Sequence, residues 1–313
     1  MSNKLALGVD IGGTNSVFGL CDVNGKIEFE DSISTVSCPT PEILIEKIHE
    51  ILGKKEFLDR IEGIGIGAPN GNYFTGTIEF APNLTWKGII PLADLFAKKF
   101  GVKAVLTNDA NAAAIGEHIY GVAHDLKDFV TITLGTGLGS GVVVDGRLVY
   151  GHDGFAGEYG HIRVIPNGRK CGCGRQGCLE TYASATGVTR SIKELDSKHS
   201  FYSKLNEIKD PKATDVFRLA EEGDDFAMEI IDYTAKTLGS ALADFACFSS
   251  PKAYVLFGGI AQSGEPFANK VKAYIEEEIL NIYKNKIEVR ISSLHDKNAA
   301  VLGAASLVWQ ELK

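Results

Sequence analysis

The chain reads as an α/β protein of two lobes related by duplication. Short apolar strands alternate with amphipathic helices, one strand, glycine-turn, strand, hairpin unit occurs twice, and 313 residues exceed what one core usually holds. Residues 5–10 and 17–21 read as strands, Asn24-Gly25 as a two-residue hairpin turn, and the stretch beyond it as a third strand. Pro41 opens a helix with Leu44, Ile48, Ile51 and Leu52 on its apolar face, ending near Gly53. A buried strand over 61–67, a helix over 91–100, a strand over 102–107 and a helix over 110–120 complete the first alternation.

The opening arrangement then returns. Residues 129–134 form a strand, 135–139 a glycine turn, 140–144 a strand, Asp145-Gly146 a hairpin turn and 147–150 a third strand. A long helix over 225–248, a strand over 253–257 ending at Gly258-Gly259, and a closing helix over 298–312 follow. The expected division is 1–118 with 297–313 as one lobe and 119–296 as the other, with a ligand cleft between them.

Composition narrows the function. A net charge of −8 gives no general attraction to nucleic acid or to an anionic membrane. No apolar run approaches the roughly 18 residues that span a bilayer. Six cysteines in a chain without a charged-then-apolar leader give the expectation of a cytoplasmic protein.

Within eighteen positions the chain offers His161, Cys171, Cys173 and Cys178. One imidazole and three thiols are a complete tetrahedral donor set for structural Zn²⁺. Cysteines one residue apart are awkward disulfide partners, which favours metal over cystine. Glu158 and Glu180 flank the cluster, so the metal is expected to brace a loop that presents carboxylates.

Backbone N–H groups at a glycine turn can cradle an anion. Gly12-Gly13-Thr14 and Gly135-Thr136-Gly137 are such turns, and Gly258-Gly259 stands at a strand end suited to a nucleotide base. None has the Lys-Ser or Lys-Thr of a P-loop, and Gly137-x-Gly139 leads into a strand where a dinucleotide fingerprint leads into a helix. Asn108-Asp109 lies between a strand and a helix. Helix capping explains these residues as well as a catalytic carboxylate does.

Taken together, Asp10-x-Gly12-Gly13-Thr14, the 135–139 turn with its hairpin, Glu158-x-Gly160-His161 and Cys171-x-Cys173-Gly174-x-x-Gly177-Cys178-x-Glu180 resemble the ROK family of repressors and sugar kinases, over the whole chain. The resemblance implies the ribonuclease-H-like fold of the actin, hexokinase and Hsp70 superfamily, and hexose phosphorylation by ATP with Mg²⁺. It implies Asp109 as the base, sugar contacts from Asn83, Asn108, Glu158, His161 and Glu180, and phosphate and Mg²⁺ handling around Asp10, Gly12, Thr14 and 135–137. A homodimer is implied as well. Glucose is the first expectation, from Asn83-Leu84-Thr85-Trp86 and the Glu158 to His161 motif; N-acetylglucosamine, N-acetylmannosamine and fructose kinases share most of these residues. Asn70 departs from the glycine that glucokinases of the family more often carry. Closure of the lobes on the sugar is expected, to keep water from the phosphate. Repressors of the family carry a helix-turn-helix ahead of the first strand, for which Asp10 leaves no room, so a regulator is the remote alternative. A sugar-binding protein without turnover is another.

Overall fold

The computed structural model describes residues 4–196, 202–294 and 296–311. The chain runs through β1 (Leu5–Ile11), β2 (Asn15–Cys21), β3 (Ile27–Ser34), α1 (Pro41–Lys54), β4 (Ile61–Gly67), β5 (Gly71–Asn72), β6 (Thr77–Glu79), β7 (Ile89–Ile90), α2 (Leu92–Phe100), β8 (Ala104–Thr107) and α3 (Asp109–Ile119). Next come β9 (Phe129–Leu134), β10 (Leu138–Val144), β11 (Arg147–Leu148), α4 (Glu180–Ala183), α5 (Ala185–Asp196), α6 (Ala213–Glu221), α7 (Asp225–Ser249), β12 (Ala253–Phe257), α8 (Glu265–Glu278), β13 (Glu288–Ile291) and α9 (Asp296–Glu311). Two compact units emerge: Met1–Asp125 with Leu148–Ala156 and Ser293–Lys313, and Leu126–Arg147 with Gly157–Ser292.

Each unit holds a five-stranded sheet, ordered β3-β2-β1-β4-β8 in the first and β11-β10-β9-β12-β13 in the second. In both, the central strand pairs antiparallel with its successor and parallel with a later strand, β1 with β4 and β9 with β12. The duplication visible in the sequence is therefore a duplication of topology. In such sheets the loops after the carboxyl ends of parallel strands carry ligand chemistry. The turns at 12–14, 108–109, 135–137 and 258–259 all follow strand ends of this kind.

In the first unit, strand alternation decides what faces what. Leu5, Leu7, Val9 and Ile11 of β1 join Ile64 and Ile66 of β4 in a buried core with Leu44, Ile48 and Leu52 of α1 and Phe96 of α2. The opposite face of the same strands carries Ala6, Gly8 and Asp10, and Gly63, Gly65 and Gly67. A Cβ on Gly65 would lie 1.8 Å from the carbonyl oxygen of Ala304, and one on Gly8 2.2 Å from that of Val301. Only glycine lets α9 come this close to the sheet. Between these layers Ala6, Cys21, Leu302, Ala305, Val308 and Trp309 form a second buried cluster.

Differences from the sequence expectations have local causes. β10 begins at Leu138, inside the expected turn, because Leu138 and Gly139 pair with Leu134 and Thr133. β11 stops at Leu148; Tyr150 leaves the sheet and stacks on Tyr73, with ring centroids 4.0 Å apart. Residue 312 of the expected closing helix lies outside the described residues. The small sheet β5-β6-β7, strand β13 and helices α4, α5, α6 and α8 lie outside the sequence expectations.

Gly65→Ala should lower the stability to urea unfolding by at least about 2 kcal/mol, as overpacking does in cores, since backbone of α9 must move. An unchanged midpoint would show that α9 does not rest on this strand.

Candidate active site and metal centre

At the carboxyl end of β1, Asp10 points to the α9 face of its sheet, the side on which α3 begins. A Cβ on Gly67 would sit 3.5 Å from Oδ1 of Asp10 and 3.6 Å from Cα of Asp109, so the two acids are neighbours across that glycine. Loss of hydration, and then repulsion from Asp109, push the Asp10 carboxyl up to about 7. Asp109 opens α3. Its Oδ1 and the Oδ1 of Asn108 both accept from the Ala110 N–H, each at 2.8 Å. Capping is thus real, yet it uses one carboxylate oxygen of Asp109 and leaves the other. The Asp109 side chain is reached by solvent while protein surrounds it, and the loss of hydration raises its carboxyl above the ordinary range against the lowering effect of the Ala110 N–H. Desolvation wins over the cap.

Next to this pair, the 12–14 turn closes by the Gly12 N–H donating to the Asn15 carbonyl at 3.1 Å. Gly13 lies on the backbone of Asn83, whose carbonyl oxygen would be 2.6 Å from an added Cβ. Asn83 itself is exposed. The first unit therefore brings together Asp10, Gly12, Gly13, Thr14, Asn83, Asn108 and Asp109 around its strand ends.

The second unit gathers the remainder. His161 ends a single 3₁₀ turn, Tyr159–His161, that Glu158 precedes, and its N–H donates to the Glu158 carbonyl at 3.1 Å. Nδ1 of His161 lies 3.7 Å from Sγ of Cys171, Sγ of Cys173 lies 3.7 Å from Sγ of Cys178, and all four donor atoms fall within 4.8 Å of one another. Tetrahedral ligands at about 2.3 Å for sulfur and 2.0–2.1 Å for nitrogen stand about 3.6–3.8 Å apart. The donor set and its spacing fit zinc. Burial pushes the Cys171 thiol up to about 12, and a zinc ion held there would have to displace its proton. Gly177, at φ +79°, turns the loop where a Cβ would meet the Ile165 carbonyl oxygen at 1.7 Å.

Glu180 ties this loop to the glycine turn. Its Oε2 accepts from the Leu138 N–H at 3.3 Å, and its Oε1 from the Cys171 thiol at 3.6 Å. The carbonyls of the turn are occupied by α5: Gly135 accepts from the Ala185 N–H at 2.9 Å and Thr136 from the Thr186 hydroxyl at 3.0 Å. Past β12, Gly258 adopts φ +95° and packs on the Leu134 carbonyl, joining the two strand ends. A largely apolar cavity of about 280 Å³, lined by Phe217, Met228, Ile231, Pro266 and Phe267, opens beside Ser263 in the same unit.

Sequence reasoning missed Arg169 and Asn72. Arg169 is buried against Tyr182 at the root of the His-Cys₃ loop. Asn72 donates to the Asp153 carbonyl and to Glu79, holding residues 148–156 in the first unit. Both lie beside recognised motifs, but their partners are distant in sequence and no spacing marks them.

A duplicated α/β fold with acids and glycine turns at its strand ends and a His-Cys₃ loop defines a class, and residues 6–311 match the ROK family model. The chain belongs to the ROK family. It is 35% identical to a glucokinase of Halalkalibacterium halodurans over 99% of this chain and 97% of that protein. It is 30% identical to a xylose repressor of Bacillus spizizenii, over 97% of this chain and 76% of the repressor. A crystal structure of a ROK glucokinase from Streptomyces griseus in complex with glucose and AMPPNP superposes with TM-score 0.82 at 32% identity, covering 98% of this chain and 99% of that one. Among the described residues no helix is long and apolar enough to cross a membrane.

Purified protein should carry one zinc per chain by elemental analysis, and Gly177→Ala or Cys173→Ala should lose it. Wild-type protein without zinc, prepared free of chelators, would overturn the metal assignment.

Proposed function

We propose that this chain transfers the γ-phosphoryl group of ATP to a hexose, with glucose first among the candidates and Asp109 as the general base. The observation that carries the reading is the Asp10 and Asp109 pair at adjoining strand ends, in a chain similar over nearly its full length to glucokinases. Phosphoryl transfer needs in-line placement and neutralised charge more than covalent chemistry. Asp109 takes the proton of the attacking hydroxyl, whose oxygen bonds to the γ-phosphorus as the bond to the bridging oxygen of ADP breaks. A carboxyl held above its ordinary range by desolvation is better matched to that proton than a solvated one.

Asn83, Asn108, Glu158, His161 and Glu180 hold the sugar hydroxyls in this reading. His161 would place Nδ1 on zinc and leave Nε2 for a hydroxyl, while zinc keeps the loop folded. Amides of 12–14 and 135–137 receive phosphates, the base lies by Gly258-Gly259, and Asp10 is the hard oxygen donor suited to Mg²⁺, which neutralises phosphate charge when bound. Asn70 can stand in the place of the glycine expected there. It occupies φ +51°, a conformation Asn tolerates, and its amide donates to the Glu79 carbonyl at 2.9 Å, so it does the backbone work of a glycine. A homodimer, on family resemblance, and a cytoplasmic location, on the cysteine content, belong to the same proposal.

Asp109→Asn should keep zinc and sugar binding but lower kcat for glucose by at least about 100-fold. In the wild type, kcat/KM should fall as pH falls through a value above the ordinary Asp range of about 3.9, because the raised carboxyl must be ionised to act. Near-normal turnover by the variant, or an acid limb at or below that range, would remove the base from Asp109.

A further inference from the structure

α4 and α5 are two short helices broken at Ser184, where the backbone is extended at ψ 171°. A break leaves carbonyls without intrahelical donors, and buried carbonyls need partners. Arg169 supplies one to Thr181, whose i+4 donor, the Ala185 N–H, goes to Gly135, and it bridges from there to α5. One terminal nitrogen donates to the Thr181 carbonyl of α4 at 2.6 Å and to the Gly187 carbonyl of α5 at 3.0 Å; the other donates to the Ser191 hydroxyl at 3.0 Å. Nε donates to both carboxylate oxygens of Glu194, at 2.9 and 3.1 Å. Its guanidinium stacks over Tyr182, 4.4 Å from the ring centroid, and the side chain is only 6% exposed. The Arg169 backbone also belongs to the zinc loop, since its carbonyl accepts from the Gly177 N–H at 2.8 Å and its N–H donates to the Tyr182 hydroxyl at 2.8 Å.

What the two helices hold gives this bracket its meaning. The start of α4 presents Glu180 to the Leu138 N–H, and the start of α5 presents Ala185 and Thr186 to the carbonyls of the glycine turn. We propose that Arg169 is a positioning residue that locks the angle between α4 and α5, so that the zinc loop, Glu180 and the 135–138 turn are held as one rigid piece. The inference rests on the functional reading only for its consequence: sugar affinity through Glu180 and nucleotide affinity through the turn are set together. Lysine cannot replace the fork, because one point charge cannot bond two carbonyls, a hydroxyl and a carboxylate in a plane.

The test is amide hydrogen exchange on zinc-replete protein, which reads the piece without requiring turnover. Arg169→Met should speed exchange at Leu138 and Ala185 by about 10-fold or more while zinc content stays at the wild-type level, and Arg169→Lys should not restore protection. Glu194→Ala, which spares the carbonyl contacts, should leave both amides protected and serves if Arg169→Met does not fold: Arg169→Gln is then compared with it. In an active enzyme the Arg169 variant should raise the KM values for sugar and ATP together, with the acid limb of the pH profile unmoved. Unchanged exchange in a folded, zinc-loaded Arg169 variant overturns the assignment. A wild type that phosphorylates no hexose overturns the functional reading alone, because the exchange result stands apart from it.

Discussion

A helix backbone cannot approach a sheet as closely as α9 approaches β1 and β4 while side chains stand between them. Gly8 and Gly65 clear that path, and Val301 and Ala304 fill it with carbonyls. Strand alternation then puts the apolar residues of β1 and β4 on the other face, in the core with α1 and α2. Asp10 shares the glycine face, at the strand end where α3 begins. The acid pair is a consequence of this packing: a carboxylate is drawn out of water next to a second one, and its proton affinity rises.

The second unit solves a different problem. Between residues 161 and 180 the chain turns repeatedly, with few apolar side chains to hold it, and a metal can substitute for a core there. Four donors spaced for one tetrahedral ion, Gly177 at its left-handed turn and Arg169 beneath the α4 to α5 break replace hydrophobic packing with directed bonds. Direction is useful where a carboxylate such as Glu180 must be aimed.

Much of this was legible in the residues. Strands β4, β9 and β12 have the bounds expected because apolar runs stop at glycine or at a polar pair. The repeat of strand, glycine turn and hairpin signalled the duplicated sheet, and the His-Cys₃ spacing signalled the metal loop. For Asn108 and Asp109 the sequence left capping and chemistry as rivals; the geometry shows a cap that spares one oxygen of Asp109. Strands of two or three residues, such as β5 to β7, are too short for periodicity to show. The five side-chain bonds of Arg169 reach residues 12 to 25 positions away and leave no local pattern.

In this reading, acids and glycine turns at duplicated strand ends serve hexose phosphorylation. It is tested most directly by formation of hexose 6-phosphate and ADP from ATP, Mg²⁺ and a panel of glucose, N-acetylglucosamine, mannose, N-acetylmannosamine and fructose, compared by kcat/KM. Equal amounts of the two products are expected, with the highest kcat/KM for glucose. No sugar-dependent ADP formation by the zinc-loaded protein with any of the five would contradict this reading.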